Sequence, residues 1–268
     1  MPVYTFTTLN DPLATMATQA FGINAAGDIV GFYSSSTSIN GFLLSGDTYT
    51  TIDDPLATQH LNQALGINAA GQIVGAYSTT NAEHGFLFSG GTYTTLDDPL
   101  ATIITEAFGI NDRGQIVGAY QNASGDHGFL LSGGVYTTLD DSAGAHARDT
   151  QAIGINNAGQ IVGTFHNDSG QHGFLLSGGF YTTIDDPSAT TGTNAFGIND
   201  NGQIVGEYSD ASGQHGFLAT VGVNPAAPAG TTADMVLRAS NTSPIAGHYE
   251  IYDIGSNTIL AGYSLGQV

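Results

Sequence analysis

The tripeptide Gly-Ile-Asn begins at Gly22, Gly66, Gly109, Gly154 and Gly197, so one unit recurs at spacings of 44, 43, 45 and 43 residues. A period in that range marks one supersecondary unit per copy, which buries its apolar faces only by stacking on its neighbours. The third copy reads AFGINDRGQIVGAYQNASGDHGFLLSGGVYTTLDD, from Ala107 to Asp141. Its apolar runs AFGI, QIVG, GFLL and YTTL are of strand length and too short for helices, and Gly, Asn, Asp and Ser separate them. QIVG and GFLL carry adjacent apolar residues, which predicts burial on both faces, as between stacked sheets. Four antiparallel strands in each of five copies predict an all-β fold, a five-bladed β-propeller of four-stranded blades.

The ends of the chain predict how such a ring would close. The fifth copy stops at HGFLATVG (His215–Gly222) without its YTTLDD run, and the chain opens on VYTFTTLND (Val3–Asp11), which supplies it. The N-terminal strand is therefore expected to complete the last blade, leaving no broken edge. An open solenoid would instead need capping repeats. Residues 1–222 then form the propeller. Residues 223–233, with NPAAPAGTT, read as a linker. Residues 234–268 read as a small C-terminal β segment with the strand-like runs DMVLRAS, HYEIYDI and TILAGYSL.

Charge narrows the partners. The chain has 23 acidic residues against three arginines (Arg113, Arg148 and Arg238) and no lysine, a formal net charge of −20. Such a field repels phosphate backbones and anionic lipid, so nucleic acid and membrane surfaces are disfavoured as partners, while cations and neutral polar ligands are not. No apolar run is long enough to span a membrane, and the N-terminus lacks the basic start and apolar stretch of a signal peptide. The absence of lysine and the Asn/Thr/Gly-rich composition lean towards export. With no cysteine, disulfides, thiolate catalysis and Cys-type zinc sites are excluded.

The turns set a register, and the register predicts pairs. If Gly90-Gly91 is a two-residue hairpin turn, Ser89 faces Thr92 and His84 faces Asp97. The same count sets His127 against Asp140 and His172 against Asp185. It also sets Asn40 against Asp53 and His215 against Asn10. A His–carboxylate pair directly across two strands forms a charge-assisted hydrogen bond. A feature copied in almost every repeat serves the fold first, so these pairs are expected to be structural clasps.

The unit GINxxGQIVGxY…HGFL resembles the HAF repeat of bacterial extracellular proteins, whose third strand carries His-Ala-Phe. The matching triplets are His84-Gly85-Phe86, His127-Gly128-Phe129, His172-Gly173-Phe174 and His215-Gly216-Phe217, with Asn40-Gly41-Phe42 departing in the first copy and Gly replacing Ala throughout. The resemblance covers roughly residues 3–221. It implies a propeller-like repeat and an extracellular location, and it carries over no catalytic residue.

Candidate site residues are those that break the symmetry. The position before the AFG-type run is Gln19, Gln63, Glu106, Gln151 and Asn194. On an innermost strand these side chains would ring the mouth of the central channel as a hydrogen-bonding collar for a small polar or saccharide ligand, with Glu106 as the one ionisable member. Blade connections of unequal length add His60, His146, Arg148 and Asp149, and variable loops on a rigid scaffold are where function is expected. No metal site is assigned. Two Asp per repeat would suit calcium, but DASGQ, NASGD and NDSGQ lack the spacing of a dedicated loop. Zinc would require His60 and His146 to converge with a blade histidine. A Ser-His-Asp triad is not supported, since the serines lie in turns and no GxSxG elbow occurs.

Two functional readings follow. In the first the chain is a binding module, lectin-like, with Tyr33, Tyr77, Tyr120, Phe165 and Tyr208 available to stack on sugars in several equivalent pockets. In the second it is an enzyme, a lyase, isomerase or hydrolase, working at the channel mouth with Glu106, His60 and His146 as acid/base groups and Arg148 orienting an anion.

Overall fold

The computed structural model describes residues 7–140, 148–220, 235–239, 248–253 and 258–264. The chain divides into two compact units, Met1–Thr220 and Val221–Val268. Every regular element among the described residues is a strand.

In the first unit each repeat folds as a short antiparallel meander. The first is β1 (Ala17–Ile23), β2 (Ile29–Ser34), β3 (Ile39–Ser45) and β4 (Thr48–Ile52), and the second β5 (Asn62–Ile67), β6 (Ile73–Ser78), β7 (Glu83–Ser89) and β8 (Thr92–Leu96). The third is β9 (Ile104–Ile110), β10 (Ile116–Asn122), β11 (Gly125–Ser132) and β12 (Val135–Leu139). The fourth is β13 (Arg148–Ile155), β14 (Ile161–Asn167), β15 (Gly170–Ser177) and β16 (Phe180–Ile184). The fifth has three described strands, β17 (Gly192–Ile198), β18 (Ile204–Asp210) and β19 (Gly213–Ala219). Successive repeats touch through single parallel bridges, Ile39 to Leu61, Glu83 to Ile104 and Gln171 to Gly192.

The hairpin turns are as expected. Gly90 and Gly91 have φ of 57° and 83°, the double left-handed turn that suits the strand twist, and Ser89 faces Thr92. In the innermost strands a β-bulge recurs. Registry slips by one residue at Phe21, Leu65, Phe108, Ile153 and Phe196, each left without a Cα partner on the next strand. A bulge bends its strand and re-aims the extra side chain.

The core lies between repeats. Val30, Val74, Val117 and Val162 are fully buried, and each belongs to a cluster formed by the following repeat. The equivalent Val205 in the fifth repeat is 50% exposed, with its cross-strand partner Leu218 on β19 at 61% and Phe21 and Ile23 of β1 at 54% and 67%. Among the described residues β19 pairs only with β18. The strand expected to close the ring lies largely outside the described residues, since only 7–11 of Val3–Asp11 are described. Those five are not in a strand. They approach the first repeat instead: Leu9 packs against the cluster of Tyr33, Phe42 and Leu44, and the Asp11 N–H donates to Thr18 Oγ1 at 3.0 Å.

The second unit contains an antiparallel three-stranded sheet, β20 (Met235–Ala239), β21 (His248–Asp253) and β22 (Thr258–Ser264), with β21 in the middle.

Candidate functional site

One cavity of about 650 Å³ is lined by Gln63, Glu106 and Gln151, and by the bulged residues Phe21, Leu65, Phe108, Ile153 and Phe196 together with Phe32. Alternation puts residues two apart on one face of a strand, so each collar position shares a face with the bulged apolar residue two places on. The sequence pattern pointed to the polar position and missed the apolar one. The cavity is therefore mostly apolar, with three polar groups.

The expected five-member collar is thus reduced to three: Gln19 and Asn194 are not among the lining residues. Asn194 instead donates to Glu207 Oε1 at 3.2 Å. Its side chain is too short to serve both the channel and that partner, and its Oδ1 is buried with no hydrogen bond among the described residues. Gln19 lies on the exposed face of β1. Glu207 is a second symmetry breaker that the sequence reading overlooked. Its counterparts are Phe32, Ala76, Ala119 and Thr164, so IVGEY is the only copy with a charge there.

Glu106 stands out electrostatically. Burial raises its carboxyl to about 7, with Glu83 and Asp126 adding like charge. Asp126 is held by Gln121, whose Nε2 donates to Oδ1 at 2.6 Å. Among the described residues Glu106 has neither a hydrogen-bond nor an ion-pair partner. Burial also raises Glu83. No group of three His, Cys, Asp or Glu among the described residues has metal-binding geometry.

The variable-loop candidates do not join Glu106. His60 is exposed, has a φ of 53°, and lends its backbone carbonyl to the Ile39 N–H at 2.8 Å. It does not line the Glu106 cavity. His146 and the Arg148 side chain lie outside the described residues. Arg148 is placed only by its backbone, opposite His166.

Three of the five expected cross-strand pairs form. His84, His127 and His172 contact Asp97, Asp140 and Asp185 through Nδ1 at 2.9, 2.9 and 2.8 Å. The other two do not. Asn40 donates to Ser38 Oγ, and Asp53 accepts from Asn62 Nδ2 at 2.6 Å. His215 Nε2 contacts Asp210 Oδ1 of its own hairpin at 3.1 Å, the contact that His127 and His172 make to Asn122 and Asn167 besides their Nδ1 pairs.

The structure brings a serine to two of these pairs. Ser124 Oγ lies 2.9 Å from His127 Nε2, and Ser169 Oγ 2.9 Å from His172 Nε2, so Ser, His and Asp stand in line. Yet each hydroxyl donates its proton at 2.6 Å to Asn122 Oδ1 or Asn167 Oδ1, which also accepts the serine's N–H. The proton a nucleophilic serine must give to histidine is committed elsewhere. These are turn networks that fasten the hairpins.

The aromatics proposed to stack on sugars are used in the interior. Tyr33, Tyr77, Tyr120 and Phe165 are at most 5% exposed. The rings of Tyr77, Tyr120 and Phe165 stack on the clasp histidines at 5.0–5.2 Å, and Tyr77 and Tyr120 bond Thr95 and Thr138. Burial takes these four out of a row of equivalent sugar platforms, while Tyr208, partly buried, lies against His215 with centroids 5.0 Å apart.

At the opposite end of the repeats, the Asn of each Gly-Ile-Asn stitches its neighbour. Nδ2 of Asn24, Asn68, Asn111 and Asn156 donates to the backbone carbonyl of the next repeat's Asn at 3.0–3.3 Å. The recurrence of this residue in all five copies was the signal for it.

Curled antiparallel meanders stacked around a channel define a protein of β-propeller type. The chain is similar to the crystal structure of TolB from Acinetobacter baumannii, with a TM-score of 0.51 and 11% identity, over 76% of this chain and 54% of that one. It is also matched to a structure described as a candidate gluconolactonase (TM-score 0.46, 14% identity, 75% of this chain and 74% of that one) and to YCF48 bound to D1 peptide (TM-score 0.41, 12% identity, 77% and 68%). The TolB likeness bears on fold alone. No family model and no curated protein matches the chain.

Proposed function

We propose that this protein is an exported, five-bladed propeller of the HAF-repeat kind that binds one small molecule in the Glu106 cavity. The observation that carries the reading is Glu106 itself. Its carboxylate is partly buried, faces like charges, has no partner among the described residues, and lines a cavity of a size suited to a small ligand. Five repeats in one register support the blade count. The half-exposed Val205 and the edge of β19, unpaired among the described residues, support closure by the N-terminal strand, which carries the matching sequence.

Saturation binding followed by protein NMR tests the reading. A fragment set should shift resonances of Leu65 and Ile153 methyls with one equivalent per chain. Several equivalents bound at the His–Asp hairpins, with no shift at Leu65 or Ile153, would overturn it.

A second reading is favoured by the same carboxyl being raised to about 7, near the value suited to a general acid/base at neutral pH. In it the protein is a lyase, isomerase or hydrolase with Glu106 transferring the proton. Glu106→Gln should then abolish turnover of any substrate found in a saccharide assay panel while leaving the fold intact. Full activity of that variant would remove Glu106 from the role.

A further inference from the structure

The cavity has a chemical bias that its polar collar does not by itself suggest. Four phenylalanines line it, Phe21, Phe32, Phe108 and Phe196, and Phe21 and Phe32 stack with centroids 5.3 Å apart. Among the described residues Gln63 and Gln151 are the neutral polar side chains that line it with Glu106.

Each ligand class meets these walls differently. An anion is opposed by Glu106, Glu83 and Asp126 and by the overall charge of −20. A sugar needs directional partners around its whole rim, and here two amides and one carboxyl face six apolar residues. A wholly apolar molecule would displace water from a carboxyl that has no other partner, which is costly. A bare metal ion needs several oxygen or nitrogen ligands, and no such group exists among the described residues.

An ammonium group carried on an apolar body meets every wall favourably. Its charge pairs with Glu106, and the electron-rich faces of the phenylalanine rings attract it. Its body fills the belt made by the bulged residues. No lysine exists in the chain to compete for the carboxylate, and Arg113, the arginine whose side chain is described, is exposed in the turn between β9 and β10.

We infer that the Glu106 cavity recognises an organic cation, a substituted ammonium of small-molecule size with an apolar or aromatic body. The inference rests on the reading of this cavity as the binding site and goes on to name its ligand class. It also carries a pH signature. The groups bearing charge on Glu106 are Glu83 of β7 and Asp126 of β11, both acidic, so only the ionised Glu106 completes the site. With its carboxyl at about 7, affinity for a permanently charged cation should fall roughly tenfold per pH unit below that value and level off above it.

The experiment uses the full chain and three probes of one size: benzyltrimethylammonium, benzyl alcohol and benzoate. Isothermal titration at pH 8 should find the ammonium bound with one equivalent per chain and at least tenfold more tightly than either of the others. Glu106→Gln should remove that preference and its pH dependence, with circular dichroism unchanged. Phe108→Ala should weaken the ammonium several-fold and leave its pH dependence in place. Equal or tighter binding of benzyl alcohol, or an ammonium affinity unaltered by Glu106→Gln, would overturn the cation while leaving the cavity as a binding site. No binding of any probe, with Leu65 and Ile153 methyls unmoved across the fragment set, would overturn the cavity reading as well.

Discussion

Asn111 Nδ2 donates to the backbone carbonyl of Asn156, 3.0 Å away in space and 45 residues along the chain. The same amide gives its second proton to Gln115 Oε1 at 2.8 Å, while its Oδ1 accepts the N–H groups of Arg113 and Gln115. All the bonding capacity of a buried amide is thus used, three bonds within its own turn and one to the next repeat.

Asn111→Asp tests the weight of this stitch. The isosteric carboxylate keeps both accepted bonds and loses both donated ones, facing two acceptors in a site that is 4% exposed. Leaving such groups unpaired costs about 2–3 kcal/mol, and chemical denaturation should show that loss. A change under about 0.5 kcal/mol would mean that the stitch adds nothing.

His127 and Asp140 are expected to contribute little each. Asp140 is 44% exposed, so its pair with His127 is screened, and a double-mutant cycle to alanine should give a coupling of about 1 kcal/mol or less that shrinks in high salt. A fluorophosphonate probe should leave Ser124 and Ser169 unlabelled. Labelling at either would contradict the assignment of their protons to Asn122 and Asn167.

Gly118 is a harsher position. A Cβ there would overlap the Glu106 carbonyl oxygen on β9 and press the Phe129 ring. Gly118→Ala should therefore cost about 3 kcal/mol in denaturant unfolding, as an overpacked core does, and should displace the site carboxyl as well. Stability within about 0.5 kcal/mol of the parent would show that β9 and β10 can part at no cost.

Glu106 links the site to pH. Its folded value of about 7 lies above the ordinary 4.5, so the native state holds a proton that the unfolded chain has released between those limits. Stability therefore falls as pH rises from about 4.5 to about 7, by up to roughly 3 kcal/mol. Glu106→Gln should raise the melting temperature at pH 8 and leave it unchanged at pH 4. An equal effect at both would place the ionised group in water.

Tyr93 and Tyr136 should be the late members of a tyrosine titration. Burial pushes both hydroxyls up to about 12, with the charges of Asp53 and Asp54 adding to Tyr93 and those of Asp97 and Asp98 to Tyr136. Phenolate absorbance of Tyr93→Phe and Tyr136→Phe should lack part of the highest-pH phase. Loss from an earlier phase would show these rings to be solvated.

The strand order, the hairpin turns and the pairing of His84 with Asp97 were all written in the chain, because each depends on offsets of a few residues. Once Gly90 and Gly91 make the turn, hydrogen-bond geometry counts off every partner along β7 and β8. What the Glu106 cavity contains was not written there. Leu65, Phe108 and Ile153 come from three different repeats and line one cavity with Glu106 only because the innermost strands converge there, which a repeat period does not reveal. The exclusion of Asn194 turns on Glu207 across the hairpin, and the stitch from Asn111 to Asn156 on the spacing between stacked sheets. Contacts within a hairpin follow from local covalent and hydrogen-bond geometry, whereas contacts between repeats follow from twist and packing distance, which only the assembled sheets set.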